Sequence, residues 1–255
     1  MHHDLDILFE LSGRVAIVTG GSRGLGRSMA IGFAKAGASV VVASRKLDAC
    51  QSVVDEIVAG GGAALAVAAR MQEPDEVAAL VSSTVDHFGS IDIIVNNAAT
   101  VLDRGIDALD PSSFAGAFTT NLLGPLLLIQ AAKEHLAVGG HGSIINIVSI
   151  AAATGTPGRY LYPPVKAALA QTTRSLARDL GPLGIRVNAI SPGTFRTDMV
   201  TKAFDDRALD FIARSAPLGR IGDPGEIVGP ALFLASDAAS FVSGVVLTVD
   251  GGATA

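Results

Sequence analysis

Tryptophan, tyrosine and cysteine are scarce in this chain of 255 residues, which has no tryptophan, two tyrosines and one cysteine. Because Cys50 has no partner cysteine, an internal disulfide is excluded and a reducing compartment is expected. The N-terminal segment MHHDLDILFEL lacks the positive start and apolar core of a signal peptide. No apolar run reaches the roughly 18 residues of a membrane helix. We therefore expect a soluble, cytoplasmic protein.

Charged residues are also few. They make up 17% of the chain, below the roughly 25% of an average soluble domain, while hydrophobic residues make up 49%. The net charge is −5 and no basic run occurs, so we expect neither a nucleic-acid nor a membrane partner. The five histidines, at positions 2, 3, 87, 135 and 141, show no metal-ligand spacing, and we predict no catalytic metal.

Short β-branched runs alternate with longer alanine-rich amphipathic runs. Strands are predicted at residues 14–20, 38–45, 63–69, 90–99, 142–149, 184–191 and 244–252. Helices are predicted at residues 27–37, 47–62, 74–89, roughly 111–137, and from 162 to about 180. This alternation predicts an α/β fold: one domain over 1–255, with a Rossmann-type, doubly wound parallel sheet of about seven strands. Residues 192–225 break the alternation and are interpreted as a substrate loop region.

The stretch TGGSRGLG, residues 19–26, follows the first strand and opens the first helix. Gly20, Gly24 and Gly26 lie where the turn must be tight and the backbone must approach a ligand closely. A phosphate can then rest on the free N–H groups of the helix N-terminus. Two alternatives are a P-loop variant, with Arg27 in place of the phosphate-binding lysine, and a glycine-rich connection without a ligand.

The end of the second strand bears on the choice of cofactor. A site that prefers NAD usually has an acidic residue there, which binds the ribose 2′-hydroxyl. This chain has Ser44 and Arg45 instead, and Arg23 of the glycine turn can reach the same place. Two arginines favour a 2′-phosphate, so we predict NADP(H), with NAD(H) as the alternative.

Polar residues follow several predicted strands at the edge where open α/β sheets bind ligands. Asn96 and Asn97 follow the fourth strand and Ser149 ends the fifth. Tyr162 and Lys166 come next, at the four-residue spacing that places two side chains on one helix face.

In this order and spacing, the motifs resemble the short-chain dehydrogenase/reductase family over nearly the whole chain. The nearest subclass is similar to the three-oxoacyl-carrier-protein reductases. The matching elements are TGGSRGLG, NNAA (96–99), Asn121, Ser149, Tyr162-x-x-x-Lys166, SPGTFRT (191–197) and FVSGVVLTVDGG (241–252).

The resemblance implies four catalytic residues. Tyr162 is the general acid/base that protonates a carbonyl oxygen or accepts a hydroxyl proton, and the Lys166 charge favours its phenolate form. Lys166 also binds the nicotinamide ribose, Ser149 polarises the carbonyl, and Asn121 holds a water that relays protons to Lys166.

A set of cofactor contacts follows from the glycine turn, the end of the second strand and the resemblance. Arg70 stands where the family often has a carboxylate or amide against adenine, so the backbone of Met71 is the expected contact there. The predicted cofactor residues are Gly20, Ser22, Arg23, Gly24, Leu25, Gly26, Ser44, Arg45, Met71, Asn97, Ala98, Tyr162, Lys166, Pro192, Gly193 and Thr197.

A proline pair, Pro163 and Pro164, separates the predicted catalytic tyrosine and lysine. The family usually has small helix formers there. Proline costs about 3 kcal/mol in a helix interior but little in the first turn, where N–H groups lack intrahelical partners. We therefore predict that the helix begins at Tyr162, with both prolines in its first turn.

The sequence predicts an NADP(H)-dependent oxidoreductase acting on a ketone or secondary alcohol, and the resemblance implies a homotetramer. An NAD-linked alcohol dehydrogenase and a catalytically weak dinucleotide-binding scaffold are the alternatives. Arg159 and Arg196 are interpreted as surface charges, with an anionic substrate as the other possibility. The expected walls of a largely apolar substrate pocket are Ile150, Ala151, Pro157, Tyr160, Thr194, Phe195 and residues 197–215.

Overall fold

The structure, a computed structural model, describes residues 5–101, 105–155 and 158–255. Its centre is one sheet of seven parallel strands in the order β3-β2-β1-β4-β5-β6-β7. The strand order reverses between β1 and β4, which is where doubly wound folds bind ligands. All seven predicted strands are confirmed: β1 (Val15–Thr19), β2 (Ser39–Ser44), β3 (Ala63–Ala68), β4 (Ile93–Asn96), β5 (Ser143–Ile147), β6 (Arg186–Pro192) and β7 (Val246–Val249).

Helices cover both faces of the sheet. Ten α-helices lie within the described residues: α1 (Leu5–Phe9), α2 (Gly24–Lys35), α3 (Leu47–Ala59), α4 (Pro74–Phe88), α5 (Pro111–Phe118), α6 (Gly124–Val138), α7 (Tyr162–Leu180), α8 (Asp198–Thr201), α9 (Asp206–Ser215) and α10 (Val228–Ala235). Helices α2, α3 and α10 pack on one face and α4, α6 and α7 on the other, so the doubly wound architecture is confirmed.

The strands are apolar on both sides because each face packs against a helical layer. In β1, Ala16 and Val18 belong to the core under α2 and α10, whereas Ile17 belongs to the core under α4 and α6. Successive side chains of a strand point to opposite faces, and both faces are covered here. The continuous hydrophobic runs of the sequence follow from this packing.

The helix expected over roughly 111–137 is interrupted. A short π-helical segment (Thr119–Leu123) separates α5 from α6, which the sequence pattern does not reveal. Residues 111–138 form a helical run of 28 residues that is long and apolar enough, by length and composition alone, to cross a membrane. Its side chains Leu128, Ile129 and Ala132 are buried in the core under the sheet, as expected of a core helix.

Three polar side chains form a buried hydrogen-bonded chain across the core. Asn96 Nδ2 of β4 donates to Asn146 Oδ1 of β5 at 2.9 Å, and Asn146 Nδ2 donates to Thr173 Oγ1 of α7 at 2.9 Å. Thr173 Oγ1 in turn donates to the Leu169 carbonyl. The chain therefore fixes α7 against the two strands at whose ends the polar residues lie.

Removing the middle member of this chain should destabilise the protein. Asn146→Ala removes the acceptor of the buried Asn96 Nδ2 and one of the two hydrogen bonds of Thr173 Oγ1, which costs about 1–3 kcal/mol in the free energy of unfolding. Urea unfolding at a fixed protein concentration measures this loss. Gln171→Ala, on the exposed side of α7, is the control and should change stability by less than about 0.5 kcal/mol. An equal effect of both variants would contradict the role of the buried chain.

Candidate active site

The glycine turn (residues 19–26) follows β1, beside which the strand order reverses. The side chain of Asn97 is hydrogen-bonded to this turn. Asn97 Nδ2 donates to the carbonyls of Thr19 and Gly20, at 3.0 and 3.2 Å. A Cβ on Gly26 would lie 2.3 Å from the Gly20 carbonyl oxygen and 2.4 Å from Asn97 Nδ2. Gly20 itself has a φ of +61°, a backbone conformation that residues other than glycine rarely adopt. Only glycine fits these two positions, and the turn fits a ligand that approaches the backbone.

Thr19 joins the turn to the neighbouring strand, a role that the sequence analysis did not assign. Its Oγ1 donates to the Val95 carbonyl at 3.1 Å and accepts from the N–H groups of Asn97 and Ala98. The sequence feature that could have indicated this role is the position of Thr19 as the first residue of TGGSRGLG. Asn97 and Ala98 were predicted to line the cofactor cleft, and both are bonded to this turn.

Helix α2 begins at Gly24, three residues before the predicted start at 27, so the end of the glycine motif forms its first turn. Arg23, at the N-cap, has extended backbone and provides no side-chain cap, and the first turn contains no acidic residue. The first intrahelical bond is from Arg27 N to the Arg23 carbonyl. The N–H groups of Gly24, Leu25 and Gly26 are therefore available to an anion.

A cleft of about 310 Å³ opens beside this turn. It is lined by Ser22, Arg23, Gly24, Arg27, Ser28, Arg196, Thr197, Asp198 and Pro224. Arg27 forms an ion pair with Glu56 of α3, which argues against the P-loop interpretation because its guanidinium is already engaged. The turn, the free N–H groups and the arginines together fit a phosphate-containing ligand.

The end of β2 carries the residues predicted to distinguish the two cofactors. Ser44 is half-buried, with its Oγ 3.0 Å from Cys50 Sγ, and burial raises the pKa of this thiol. Arg45 is exposed. Among the described residues, neither Arg45 nor Arg23 forms an ion pair, so both guanidinium charges remain available to a phosphate.

At the end of β3, Arg70 is engaged by Glu76 of α4. Its backbone N and its Nε donate to the Glu76 carboxylate at 2.6 and 2.9 Å, and the hydrogen bond from the Arg70 side chain lowers the pKa of Glu76. The next residue, Met71, is buried, and its carbonyl lies close to Gly124 of α6. Met71 as an adenine contact remains a prediction.

The prediction that the helix begins at Tyr162 is confirmed. Leu161 is the N-cap of α7, Tyr162 is its first residue, and Pro163 and Pro164 complete the first turn. Val165 is the first residue to donate an intrahelical bond, to the Leu161 carbonyl at 3.1 Å. The prolines thus replace two N–H groups that would have no intrahelical acceptor, and the spacing from tyrosine to lysine is preserved.

Lys166 lies one turn further along and is 2% exposed. Its Nζ donates to the Ile147 carbonyl at 2.8 Å and lies 5.7 Å from the centroid of the Tyr162 ring. Burial lowers the pKa of its ammonium group to about 8. Tyrosine and lysine therefore share one face of α7 at the end of β5.

Ser149 follows β5 and is half-buried, and its Oγ accepts from Ala151 N at 3.2 Å. Asn121 lies in the π-helical segment and is fully buried. Its Nδ2 donates to the carbonyls of Thr100 and Ala117, whereas its Oδ1 has no hydrogen-bond partner among the described residues. A buried acceptor of this kind fits a water molecule.

The loop after β6 differs from expectation in one respect. Phe195, predicted as a pocket wall, is buried in the core under α2, and a Cβ on Gly222 would lie 2.9 Å from its ring. The large apolar Phe195 side chain packs in the core instead of lining a pocket. The sequence pattern could not distinguish these two positions. Gly193 is bonded to β7 through its N–H and the Val249 carbonyl. Pro157, another predicted wall, lies outside the described residues.

The remaining predicted wall residues differ in exposure. Ile150, Ala151 and Thr194 are half-buried, and Tyr160 is 45% exposed. Among the residues that the structure describes, no three histidine, cysteine or acidic side chains are grouped as metal ligands would be. The absence of a catalytic metal stays a prediction.

Comparison with known proteins identifies the fold and the family. A family profile described as Enoyl-(Acyl carrier protein) reductase matches residues 20–254. A 3-oxoacyl-[acyl-carrier-protein] reductase of Synechocystis is 38% identical over 95% of this chain and 97% of its own length. The chain belongs to the short-chain dehydrogenase/reductase family. It is an oxidoreductase acting on CH–OH and C=O groups, and its family binds a nicotinamide dinucleotide.

Two solved structures show the same architecture. A 7α-hydroxysteroid dehydrogenase, complexed with NADH and 7-oxo glycochenodeoxycholic acid, has a TM-score of 0.95 and 37% identity, covering 98% of this chain and 97% of its own. A gluconate 5-dehydrogenase of Burkholderia cenocepacia, in complex with NADP and tartrate, has a TM-score of 0.93 and 34% identity, covering 98% and 99%. The Rossmann-type fold is therefore shared with relatives that hold either cofactor.

The buried Lys166 ammonium should reduce the stability of the ligand-free protein. Because its folded pKa, about 8, lies below the ordinary 10.5, its penalty is full below pH 8 and is relieved as pH rises toward 10.5. Lys166→Met should raise the free energy of unfolding at pH 7 by on the order of 1–3 kcal/mol. That gain should shrink above pH 8. Lys202→Met, at the exposed residue that follows α8, is the control. A gain independent of pH would contradict the assignment.

The proline pair should stabilise the protein through its position in the first turn. Pro164 is exposed, and Pro164→Ala should cost about 0.4–1 kcal/mol because it releases conformational freedom in the unfolded chain. Ala168→Pro places a proline within α7 instead and should cost about 3 kcal/mol or more. Thermal unfolding of the two variants compares these costs. Stabilisation by Pro164→Ala would show that the proline strains the turn.

Proposed function

We propose that the protein is an NADP(H)-dependent oxidoreductase that interconverts a ketone and a secondary alcohol, with Tyr162 as the general acid/base. The observation that supports this most directly is the buried Lys166 ammonium, 5.7 Å from the Tyr162 ring on the same face of α7. Bound in the cleft beside the glycine turn, the nicotinamide cofactor would donate or accept the hydride.

The side chains of the chain itself handle the proton. The ammonium of Lys166 favours the phenolate form of Tyr162 by direct electrostatic attraction, and with a pKa of about 8 it is mainly charged at neutral pH. Tyr162 can then give a proton to a carbonyl oxygen or accept one from a hydroxyl. Ser149 orients the same oxygen, and the unpartnered Oδ1 of Asn121 supports a buried water on the way to Lys166.

The preference for NADP(H) rests on charge at the end of β2. The position that holds an acid in many NAD-binding folds is Ser44-Arg45 here. Arg23 and Arg45 can both bind a 2′-phosphate, which a carboxylate would repel. NAD-linked activity is the alternative, since one structural relative binds NADH. No structural observation favours the scaffold alternative, because the proline pair preserves the first turn of α7.

We also propose a homotetramer in the cytoplasm with a small-molecule substrate. Large apolar side chains remain exposed on the described surface, among them Phe114 at 50% and Phe241 at 104%. Subunit contacts would remove this apolar area from water. Ile150 and Ala151 beside Ser149 suggest a substrate that is apolar around the reacting carbon.

Turnover tests the reaction. Wild-type protein should oxidise NADPH with a member of a ketone panel that includes 3-oxoacyl thioesters, cyclic ketones, keto-sugars and quinones. Tyr162→Phe should lower kcat by about 100-fold or more, because the proton donor is lost. Tyr160→Phe removes the only other phenol of the chain and should keep turnover within a few-fold of wild type. Equal turnover in both variants would contradict the role of Tyr162.

A charge reversal tests the cofactor preference. Arg45→Asp should weaken NADPH binding by about 100-fold, since a phosphate contact is replaced by repulsion. NADH binding should stay unchanged or become tighter, because a carboxylate there can accept from the ribose 2′-hydroxyl. Fluorescence titration of the reduced nucleotides measures both, and Arg178→Asp on the exposed side of α7 is the control. Wild-type protein that binds NADH more tightly than NADPH would contradict the preference.

A further inference from the structure

The loop after β6 is held in place by pairing with a later segment. Arg196 N donates to the Gly222 carbonyl at 2.8 Å, and Gly222 N donates to the Thr194 carbonyl at 3.1 Å. The Phe195 ring between them is buried against Gly222, where no larger residue fits. The backbone of Arg196 is therefore fixed, while its side chain remains exposed.

This fixed backbone lies next to the glycine turn. Thr197 Cγ2 is 3.4 Å from the position that a Cβ on Gly24 would occupy. Gly24 is the first residue of α2 and carries one of the free N–H groups. A group bound at this N-terminus would thus lie between the turn and the loop after β6.

The cleft at this place has an excess of positive charge. Arg23, Arg27 and Arg196 line it together with one carboxylate, Asp198. Arg27 is paired with Glu56, and Asp198 lies 3.5 Å from Lys202 Nζ. Arg23 and Arg196 form no ion pair with any residue that the structure describes. The guanidinium groups of Arg23 and Arg196 are therefore left for an anion.

The position of the cleft indicates which anion Arg196 contacts. The lining includes neither Ser149, Tyr162 nor Lys166, so this cleft is separate from the predicted catalytic residues. It includes Arg23, one of the two arginines proposed for a 2′-phosphate, but neither Ser44 nor Arg45 at the end of β2. The phosphates nearest the N-terminus of α2 are those of the diphosphate, which NAD and NADP share.

We propose that Arg196 binds the diphosphate of the nicotinamide cofactor at the N-terminus of α2, and so ties the loop after β6 to the bound nucleotide. This proposal rests on the proposed function, because it requires a dinucleotide in the cleft. Arg196 was interpreted from the sequence as a surface charge; the structure assigns it a place on the cofactor side. A planar guanidinium can hold two phosphate oxygens at once, which a lysine cannot.

The test is equilibrium binding of NADPH and NADH, followed by the fluorescence of the reduced nucleotide at fixed ionic strength. Arg196→Ala should weaken both nucleotides by about tenfold, the loss of one charge-assisted contact. Arg45→Ala should weaken NADPH alone. Arg178→Ala, which removes an exposed charge outside the cleft, should change neither. Arg196→Lys should recover part of the loss for both nucleotides.

Each other result overturns the proposal in a distinct way. If Arg196→Ala binds both nucleotides as tightly as wild type and Arg178→Ala do, Arg196 does not contact the cofactor, and the proposed function is untouched. If only NADPH is weakened, Arg196 contacts the 2′-phosphate and the assignment to the diphosphate is wrong. If wild-type protein binds neither nucleotide, both this proposal and the proposed function fail.

Discussion

The buried ammonium of Lys166 is the constraint on which the candidate site depends. A charge removed from water must be compensated, and its one hydrogen bond among the described residues, to the Ile147 carbonyl, compensates only part of the cost. The lowered pKa, about 8, expresses the remainder. A side chain kept in this state lowers the stability of the ligand-free fold at neutral pH. In the proposed reaction, the position of this ammonium against the Tyr162 ring would favour the phenolate form and so assist proton exchange near neutral pH.

The position of Lys166 depends in turn on how α7 begins and where it is anchored. The first turn contains two prolines, which have no N–H group that needs an intrahelical acceptor, so the helix starts at Tyr162 rather than later. Thr173, two turns beyond Lys166, is bonded through Asn146 to Asn96, which fixes the helix against β5 and β4. The register of α7 is thus determined at its start by backbone chemistry and further along by a buried polar chain.

Much of this arrangement could be predicted from the sequence because its signals are local. The strands were evident from continuous apolar runs, and the start of α7 followed from the tolerance of a first turn for proline. The π-helical segment around Asn121 could not be predicted, since its residues continue the helical pattern of α5 and α6. The burial of Phe195 could not either, because an aromatic side chain in a loop suits a pocket wall and a core equally well. Which of them it joins depends on Gly222, a residue far along the chain.

The loop after β6 connects the two halves of the site. Its backbone is paired to β7 at Gly193 and to the segment around Gly222, while Thr197 reaches the first residue of α2. Beyond Thr197 the chain continues into α8 and α9, which carry the region predicted to contact the substrate. A ligand between the glycine turn and this loop would therefore lie beside the start of the region predicted to contact the substrate. Under the proposed function, this short stretch of chain is what would connect the cofactor to the substrate.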